Sequence, residues 1–475
     1  MADAPRSPLA ELLALALPTV AQMASYTAMQ FIDTWILSRL GDAPPTAASN
    51  SGMLAFAPLS LGMGTLVIVN ALVSQSFGGR DFKQCGRFLW QGIWFGLVFS
   101  LFLQPLALVA DPIFKIFHHP APLAAMEATY FRIVMLAATV KLISTSIGQF
   151  SLGIDRPNNP LVAAIIGVSI NAFAAWCIVL GHCGFHSWGI AGAAWAQNLG
   201  CACEMIVLII LVFQKQIRIR FNALDLRPRF SEFITLIKVG VPSGLQWFSD
   251  VLAWSIFCNG VIGLIGPAAM AANAFMFRYL VLSFLPTVGL SAAVTALVGR
   301  YIGSRQPDVA ARRAHLAFVV ALAYVLICGI AFIAFRAPLM RFFTFDPAVI
   351  RIGSIYLIFA AIYELSDAMY IIYTGALRGA GDTFVPTVVM ACLCWSISVF
   401  GGYAMARWAP GAGVAGPWIM GCIYGWMLGL YMLLRFTGGK WRRIHLLKTE
   451  NGGEPVQNGN APALILQFPL NQDRS

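Results

Sequence analysis

Long apolar blocks separated by short polar punctuation leave this chain few folds to choose from. Twelve blocks can be counted: Leu12–Leu37, Ser51–Phe77, Phe88–Ala110, Ala124–Phe150, Leu161–Leu180, Gly189–Phe213, Phe233–Leu264, Ala268–Val298, Ala314–Phe335, Ile350–Ala376, Val385–Trp408 and Gly413–Phe436. At a helical rise of about 1.5 Å per residue, each block is long enough to cross about 30 Å of hydrocarbon. Only 11% of the 475 residues are charged, against about a quarter in soluble domains, so a soluble globular fold is excluded. The first block is too long for a signal peptide, and no small-residue cleavage pattern follows it. The prediction is an all-α integral membrane protein of twelve transmembrane helices.

The net charge of +11 follows topology and is no nucleic-acid footprint. With the N-terminus placed inside, the inner loops and tails hold 22 of the 31 Lys and Arg residues. The outer loops and helix ends hold Arg39, Lys115, Arg132, Arg336, Arg341, Arg351 and Arg407, while Lys141 and Arg278 fall within spans. This positive-inside bias predicts a multi-pass plasma-membrane protein, of the bacterial inner-membrane type, with both termini cytoplasmic. The ten cysteines are scattered through apolar blocks without ligand spacing, and the six histidines form no metal motif. The low-complexity end, GGEPVQNGNAP within a tail running from 437 to 475, reads as a disordered cytoplasmic tail.

The longest polar interruption, Gln214 to Ser231, divides the spans six and six. The expected organisation is an N-terminal six-helix lobe (1–213), a cytoplasmic linker (214–234) and a C-terminal six-helix lobe (235–436). The halves match at a nearly constant offset. ALPTVAQ around Pro18 pairs with GVPSGLQ around Pro242, and ALVSQSFGGRD from Ala71 with ALVGRYIGSRQPD from Ala296. LGIDRPNNP from Leu152 pairs with LRGAGDTFVP from Leu377, and GIAGAAW at Gly189 with GVAGPW at Gly413. Four matches in one order and one register indicate duplication. Six spans per copy make the repeats parallel, related by an axis along the membrane normal, and a binding cavity is expected between them.

Charges inside a membrane need a reason, since each costs roughly 2.5 to 3.5 kcal/mol at a helix centre. Gln22, Tyr26, Gln30 and Asp33 recur at three- or four-residue steps and make one polar stripe on the first span. Gln246 and Asp250 share a face of the seventh span, and Glu364 and Asp367 share a face of the tenth. Counting rise from the nearest flanking basic residue puts Asp250 and Asp367 near mid-membrane from opposite faces, where they can share one site. Arg278 reaches similar depth in the eighth span, and an internal salt bridge to Asp250, Glu364 or Asp367 is expected of it. Lys141 either balances Asp33 or packs structurally, and Glu204 reads as a bundle-packing acid. Tyr363, Tyr370, Tyr373, Trp247, Phe248 and Met276 could offer aromatic and sulfur faces to a flat organic cation, although for any one of them ordinary helix packing is the better explanation.

The twelve-span plan and the two paired blocks, ALVSQSFGGRD/ALVGRYIGSRQ and LGIDRPNNP/LRGAGDTFVP, resemble the multidrug and toxic compound extrusion (MATE) transporters, in particular the NorM-like ones. The resemblance runs from about Leu12 to Phe436. It implies a V-shaped pair of six-helix lobes in a monomer that exports organic cations in exchange for Na⁺ or H⁺. It also implies coupling-ion roles for Asp33 in its DT pair, for Asp250, where relatives usually carry Glu, and for Asp367. On this reading Glu364 is an additional acid of the coupling-ion set, Asp250 and Asp367 are the candidate Na⁺ ligands, and Asn171 matches a polar position of the N-terminal lobe. Ala175 stands where some relatives carry a further acid, which argues against a proton site in that lobe alone.

The expected function is therefore a secondary antiporter working by alternating access with no cofactor, and Gln22, Tyr26, Gln30, Asn171, Gln246, Met276, Arg278, Tyr363 and Tyr370 as its substrate cavity. Two other readings stay open. A lipid-linked sugar flippase of the same wider superfamily fits the architecture but not the acidic interior. A membrane-embedded enzyme lacks any HExxH, GxSxG or Walker A motif in this chain.

Overall fold

A computed structural model describes residues 7–41, 43–116, 120–184, 186–444 and 446. Its spans are α1 (Pro8–Ser38), α2 (Ala43–Gly78), α3 (Phe82–Leu108), α4 (Ala121–Leu136 continuing as Ala138–Gly153), α5 (Asn158–Leu180), α6 (Gly189–Val212), α7 (Phe230–Leu264), α8 (Pro267–Gly303), α9 (Pro307–Ala334), α10 (Pro347–Ala380), α11 (Phe384–Trp408) and α12 (Gly413–Thr437). The twelve predicted spans are all present, with ends that move outward by a few residues where caps extend them. Ser7 Oγ and Asp81 cap α1 and α3 by accepting from the amides of Ala10 and Gln84. Proline opens α8, α9 and α10, where its missing N–H costs nothing.

The fourth span is bent by 47° at Ala137 although neither proline nor glycine lies there. Side chains from neighbouring spans take over the carbonyls that the break frees. Asn198 Nδ2 donates to Ile133 O at 2.6 Å and Gln104 Nε2 to Met135 O at 3.4 Å.

Duplication is written into the backbone. The turns after α2 and α8 place Arg80 and Arg305 in the left-handed region at φ 60° and 59°. In each, two successive amides reach back to the helix end: Arg80 to Phe77 O and Asp81 to Ser76 O, then Arg305 to Ile302 O and Gln306 to Tyr301 O. The turns after α4 and α10 repeat the device at Asp155 (φ 66°) and Gly381 (φ 87°).

Close approaches between the halves are reciprocal as well. A Cβ on Gly78 would overlap the carbonyl oxygen of Arg300, and one on Gly303 would overlap that of Gln75. Gly64 rests on Ser243 and Gly244 of α7, while Gly289 rests on Val20 of α1. A parallel repeat with its axis between α2 and α8 demands this pairing. Leu12 and Leu15 of α1 are buried in the C-terminal core, and Leu236 of α7 is buried in the N-terminal one.

These contacts form a seal in the half of the spans nearer the termini. Thr19 Oγ1 donates to Gly289 O at 2.8 Å, Asn70 Nδ2 to Ala292 O at 3.1 Å and Gln75 Nε2 to Gly379 O at 2.8 Å. Glu11 of α1 receives Arg300, Tyr301 (2.7 Å) and Arg313 (2.7 Å) from α8 and α9, and Arg300 also reaches Asp155 at 3.2 Å. Residues 215–220, expected as linker, form a short helix (Lys215–Arg220) with Ile217 buried against the N-terminal half. The start of the expected tail is an ordered turn, Lys440–Arg443, with Trp441 stacked on Phe436. The expected disorder of the rest of the tail falls, from residue 447 on, outside the described residues.

Candidate functional site: two polar clusters and a cavity between the halves

Each half encloses a polar cluster, and the two are built differently. In the N-terminal half the stripe on α1 turns inward. Asp33 is half-buried and its Oδ1 accepts from Asn171 Nδ2 of α5 at 2.8 Å. Gln22 Nε2 donates to the Tyr26 hydroxyl at 3.2 Å, and that hydroxyl donates to the buried carboxylate of Glu204 on α6. Lys141 Nζ lies 4.8 Å from the centroid of the Tyr26 ring. It stands just beyond the bend of α4, and its charged neighbours include Glu204 but not Asp33. Of the two roles the sequence left open for Lys141, the structure favours the structural one: it packs on the Tyr26 ring with Glu204, not Asp33, as its nearby acid. Gln30 is exposed and stands apart from this network.

In the C-terminal half three acids gather. Asp367 and Glu364 of α10 are buried, Asp250 of α7 is half-buried, and Asp250 and Asp367 lie within electrostatic reach of each other. The Tyr363 hydroxyl faces Asp367 Oδ1 at 3.5 Å, and Gln246 Nε2 donates to the Tyr370 hydroxyl at 2.9 Å. Neither oxygen of Glu364 has a hydrogen-bond partner among the described residues. Two π-helical turns, Ile256–Val261 in α7 and Cys394–Gly401 in α11, flank the cluster. Trp395 of the second donates to Ser249 Oγ at 3.0 Å, which fixes the residue next to Asp250. Among the described residues no three His, Cys, Asp or Glu side chains converge as metal ligands. A cation here would complete its shell with hydroxyl, carbonyl or water oxygens.

Two expectations are corrected. Arg278 makes no ion pair among the described residues. It is exposed, because it lies on the face of α8 turned away from the C-terminal core and so away from all three acids. Met276, two residues earlier, is wholly buried in that core and lines no cavity. Tyr363 and Tyr373 are buried too, the latter with its hydroxyl 2.9 Å from His315 Nδ1. Trp247 packs over Gly64 at the junction of the halves.

Beyond the seal, α1 and α8 border a half-open cavity of about 360 Å³ lined by Val20, Ala24, Thr27, Ala28, Phe31, Ile32, Leu282, Leu285 and Pro286. None of the residues predicted for the substrate lines it. The α1 residues recur at helical spacing on the side opposite the polar stripe. Sequence shows that apolar stripe, but cannot tell a cavity wall from a lipid-facing surface.

Twelve spans in two parallel repeats, sealed at one end and with acids buried in both halves, define a multi-pass membrane transporter and not an enzyme. The chain belongs to the MatE family, whose model matches residues 18–177 and 248–404, once in each half. Relatives include a "Probable multidrug resistance protein NorM" of Mesorhizobium japonicum, 26% identical over 409 residues, which cover 83% of this chain and 86% of the relative. "Multidrug resistance protein PmpM" of Pseudomonas aeruginosa is 27% identical over 408 residues, 84% of each. The fold is shared with a MOP superfamily transporter from Pyrococcus furiosus (TM-score 0.82, 18% identity, 92% of this chain and 98% of the other). It is also shared with an outward-facing multidrug resistance MATE family transporter (TM-score 0.81, 18% identity, 91% and 97%).

Proposed function

We propose that this protein is a secondary antiporter that exports organic cations, drugs among them, in exchange for Na⁺ or H⁺ by alternating access. The observation that carries the reading is the C-terminal acid cluster. Among the described residues Asp250, Glu364 and Asp367 have no ion-paired basic side chain, and the oxygens of Glu364 have no hydrogen-bond partner. Buried carboxylates left so must hold a proton or a cation. Loading and unloading them gives the differential binding energy that favours one facing of the lobes over the other. Asp33, hydrogen-bonded to Asn171, is a secondary coupling residue of the N-terminal lobe. Gln22, Tyr26, Gln246, Tyr363 and Tyr370 act as the polar and aromatic surround that positions the acids and the entering cation.

Residues 1–213 and 235–436 serve as the two moving bodies and 214–234 as their connection. The protein works as a monomer embedded in lipid, with both termini cytoplasmic in a bacterial inner membrane, because the basic residues concentrate on the terminal face. The seal at that face then makes this the outward-facing state. The test is ethidium efflux from proteoliposomes under separate Na⁺ and pH gradients. One of the two gradients is expected to drive export, and export indifferent to both rules out antiport.

A further inference from the structure

We infer that Arg278 determines specificity in the cavity between the lobes, by reading an acidic group on the substrate, so that zwitterionic amphiphiles are preferred to simple monocations. The inference rests on the export reading above and narrows its substrate class.

Arg278 is exposed and makes neither an ion pair nor a hydrogen bond among the described residues. It comes eleven residues after Pro267 at the start of α8, about 16 Å along the helix from that end. An exposed guanidinium within a span is costly against hydrocarbon, which favours a face open to water.

Helical phase says which face. Arg278, Leu285 and Gly289 follow at steps of seven and four and share one face of α8. Leu285 lines the 360 Å³ cavity and Gly289 rests on Val20 of α1. Arg278 is thus on the wall that faces the opposite lobe, about 10 Å along the helix from Leu285 and about 6 Å from Leu282.

The cavity itself is nearly all apolar, Thr27 supplying its one hydroxyl, and its size suits a flat aromatic body. It offers a cationic guest no counter-charge. The polar stripe of α1 points to the other side of that helix, where Asp33 already accepts from Asn171. The first charge met beyond the apolar lining on α8 is positive. A carboxylate on the guest gains paired, charge-assisted hydrogen bonds from the guanidinium fork, whereas a guest with only positive charge is repelled.

A matched pair of dyes tests this: rhodamine 110, a free acid and zwitterion, and rhodamine 123, its methyl ester and a monocation. In proteoliposomes the wild type is expected to export the acid with a KM about tenfold below that of the ester. Arg278→Gln is expected to remove that preference by raising the KM for the acid and lowering it for the ester, and Arg278→Lys to restore part of it. An acid-to-ester ratio that is the same in wild type and Arg278→Gln overturns the inference while leaving the export reading intact. Failure of the wild type to export ethidium or either dye under any gradient overturns both. A general loss of transport in Arg278→Gln that spares the acid-to-ester ratio also counts against it, as a structural role.

Discussion

The two lobes descend from one sequence and share turns, glycine contacts and helix order, yet they handle intramembrane charge in opposite ways. The N-terminal cluster is closed on itself. Glu204 receives the Tyr26 hydroxyl, Lys141 lies over the Tyr26 ring beside that carboxylate, and Asp33 is bonded to Asn171. The C-terminal cluster has three acids and, among the described residues, no ion-paired cation and one carboxyl without a hydrogen-bond partner. Duplication supplies two similar scaffolds whose buried basic residues differ in place: Lys141 lies on the Tyr26 ring in the N-terminal half, and Arg378 is buried near the end of α10 in the C-terminal half. On the proposed antiport reading, the C-terminal acids, which have no ion-paired basic side chain among the described residues, are the ones that take up most of the exchanged proton or cation.

The comparison breaks most readily at Asp367. Asp367→Asn removes the charge that the exchangeable ion answers, and initial ethidium efflux is expected to fall by about 100-fold, the equivalent of ~2.7 kcal/mol. Asp33→Asn keeps the size and the bond with Asn171, and is expected to fall within about threefold of wild type. Equal losses in the two variants would remove the functional distinction between the lobes.

Lys141→Gln attacks it from the other side. Without the ammonium, Glu204 is left as an uncompensated buried charge, and the thermal midpoint in detergent is expected to drop by about 3–8 °C. Added Na⁺ is expected to recover part of that drop, because the lobe now has a vacancy for an external cation. A midpoint that falls and does not respond to Na⁺ would show that Lys141 acts by packing alone.

How far these features can be read in the chain depends on the range of the forces that make them. Hydrophobic length and turn chemistry are local, and the twelve spans and the paired turns at Asp155 and Gly381 follow from residues adjacent in sequence. The register of the repeat also carried the glycine pairs implicitly, since Gly78 and Gly303 occupy matched places in ALVSQSFGGRD and ALVGRYIGSRQPD. The partners of buried charges are not local. Depth counted along a helix does not give helix phase relative to a neighbour, and the phase of α8 turns Arg278 away from the C-terminal core. Lys141 lies over the Tyr26 ring just beyond the bend of α4 at Ala137, and the Asn198 and Gln104 side chains that hold the bend come from α6 and α3. The π turns beside Asp250 leave no periodic mark in VLAWSIFCNGV or ACLCWSISVFG.

Glu364→Gln sharpens the contrast by its expected mildness. Since neither carboxyl oxygen has a partner, replacing the acid by an amide of equal shape removes no bond and discards a buried titratable group. The thermal midpoint is expected to stay level or rise by about 1–3 °C, unlike that of Lys141→Gln. Efflux continues, with fewer cations exchanged per substrate when flux ratios are measured. A marked loss of stability would place Glu364 among the structural acids and leave the coupling to Asp250 and Asp367.

The smallest effect is expected where both lobes contribute alike, at the seal. Glu11 of the N-terminal lobe is held by Arg300, Tyr301 and Arg313 of the C-terminal lobe, all part-buried. These bonds join α1 to α8 and α9 at the closed terminal face, and on the alternating-access reading they stabilise this facing of the transporter. Glu11→Gln weakens two charge-assisted bonds but leaves the glycine contacts of Gly78, Gly303, Gly64 and Gly289 in place. The balance between the two facings is expected to shift by about five- to tenfold toward opening at the terminal face, ~1 to 1.4 kcal/mol. Spin labels at Lys83 and Arg312, both exposed and on opposite lobes, report that opening as a second, longer distance once the exposed native cysteines are replaced. The shift should shrink at high salt in wild type as well, because the partly exposed pairs are screened. A distance distribution unchanged by Glu11→Gln assigns the closure to the backbone-to-glycine packing, which both repeats supply equally.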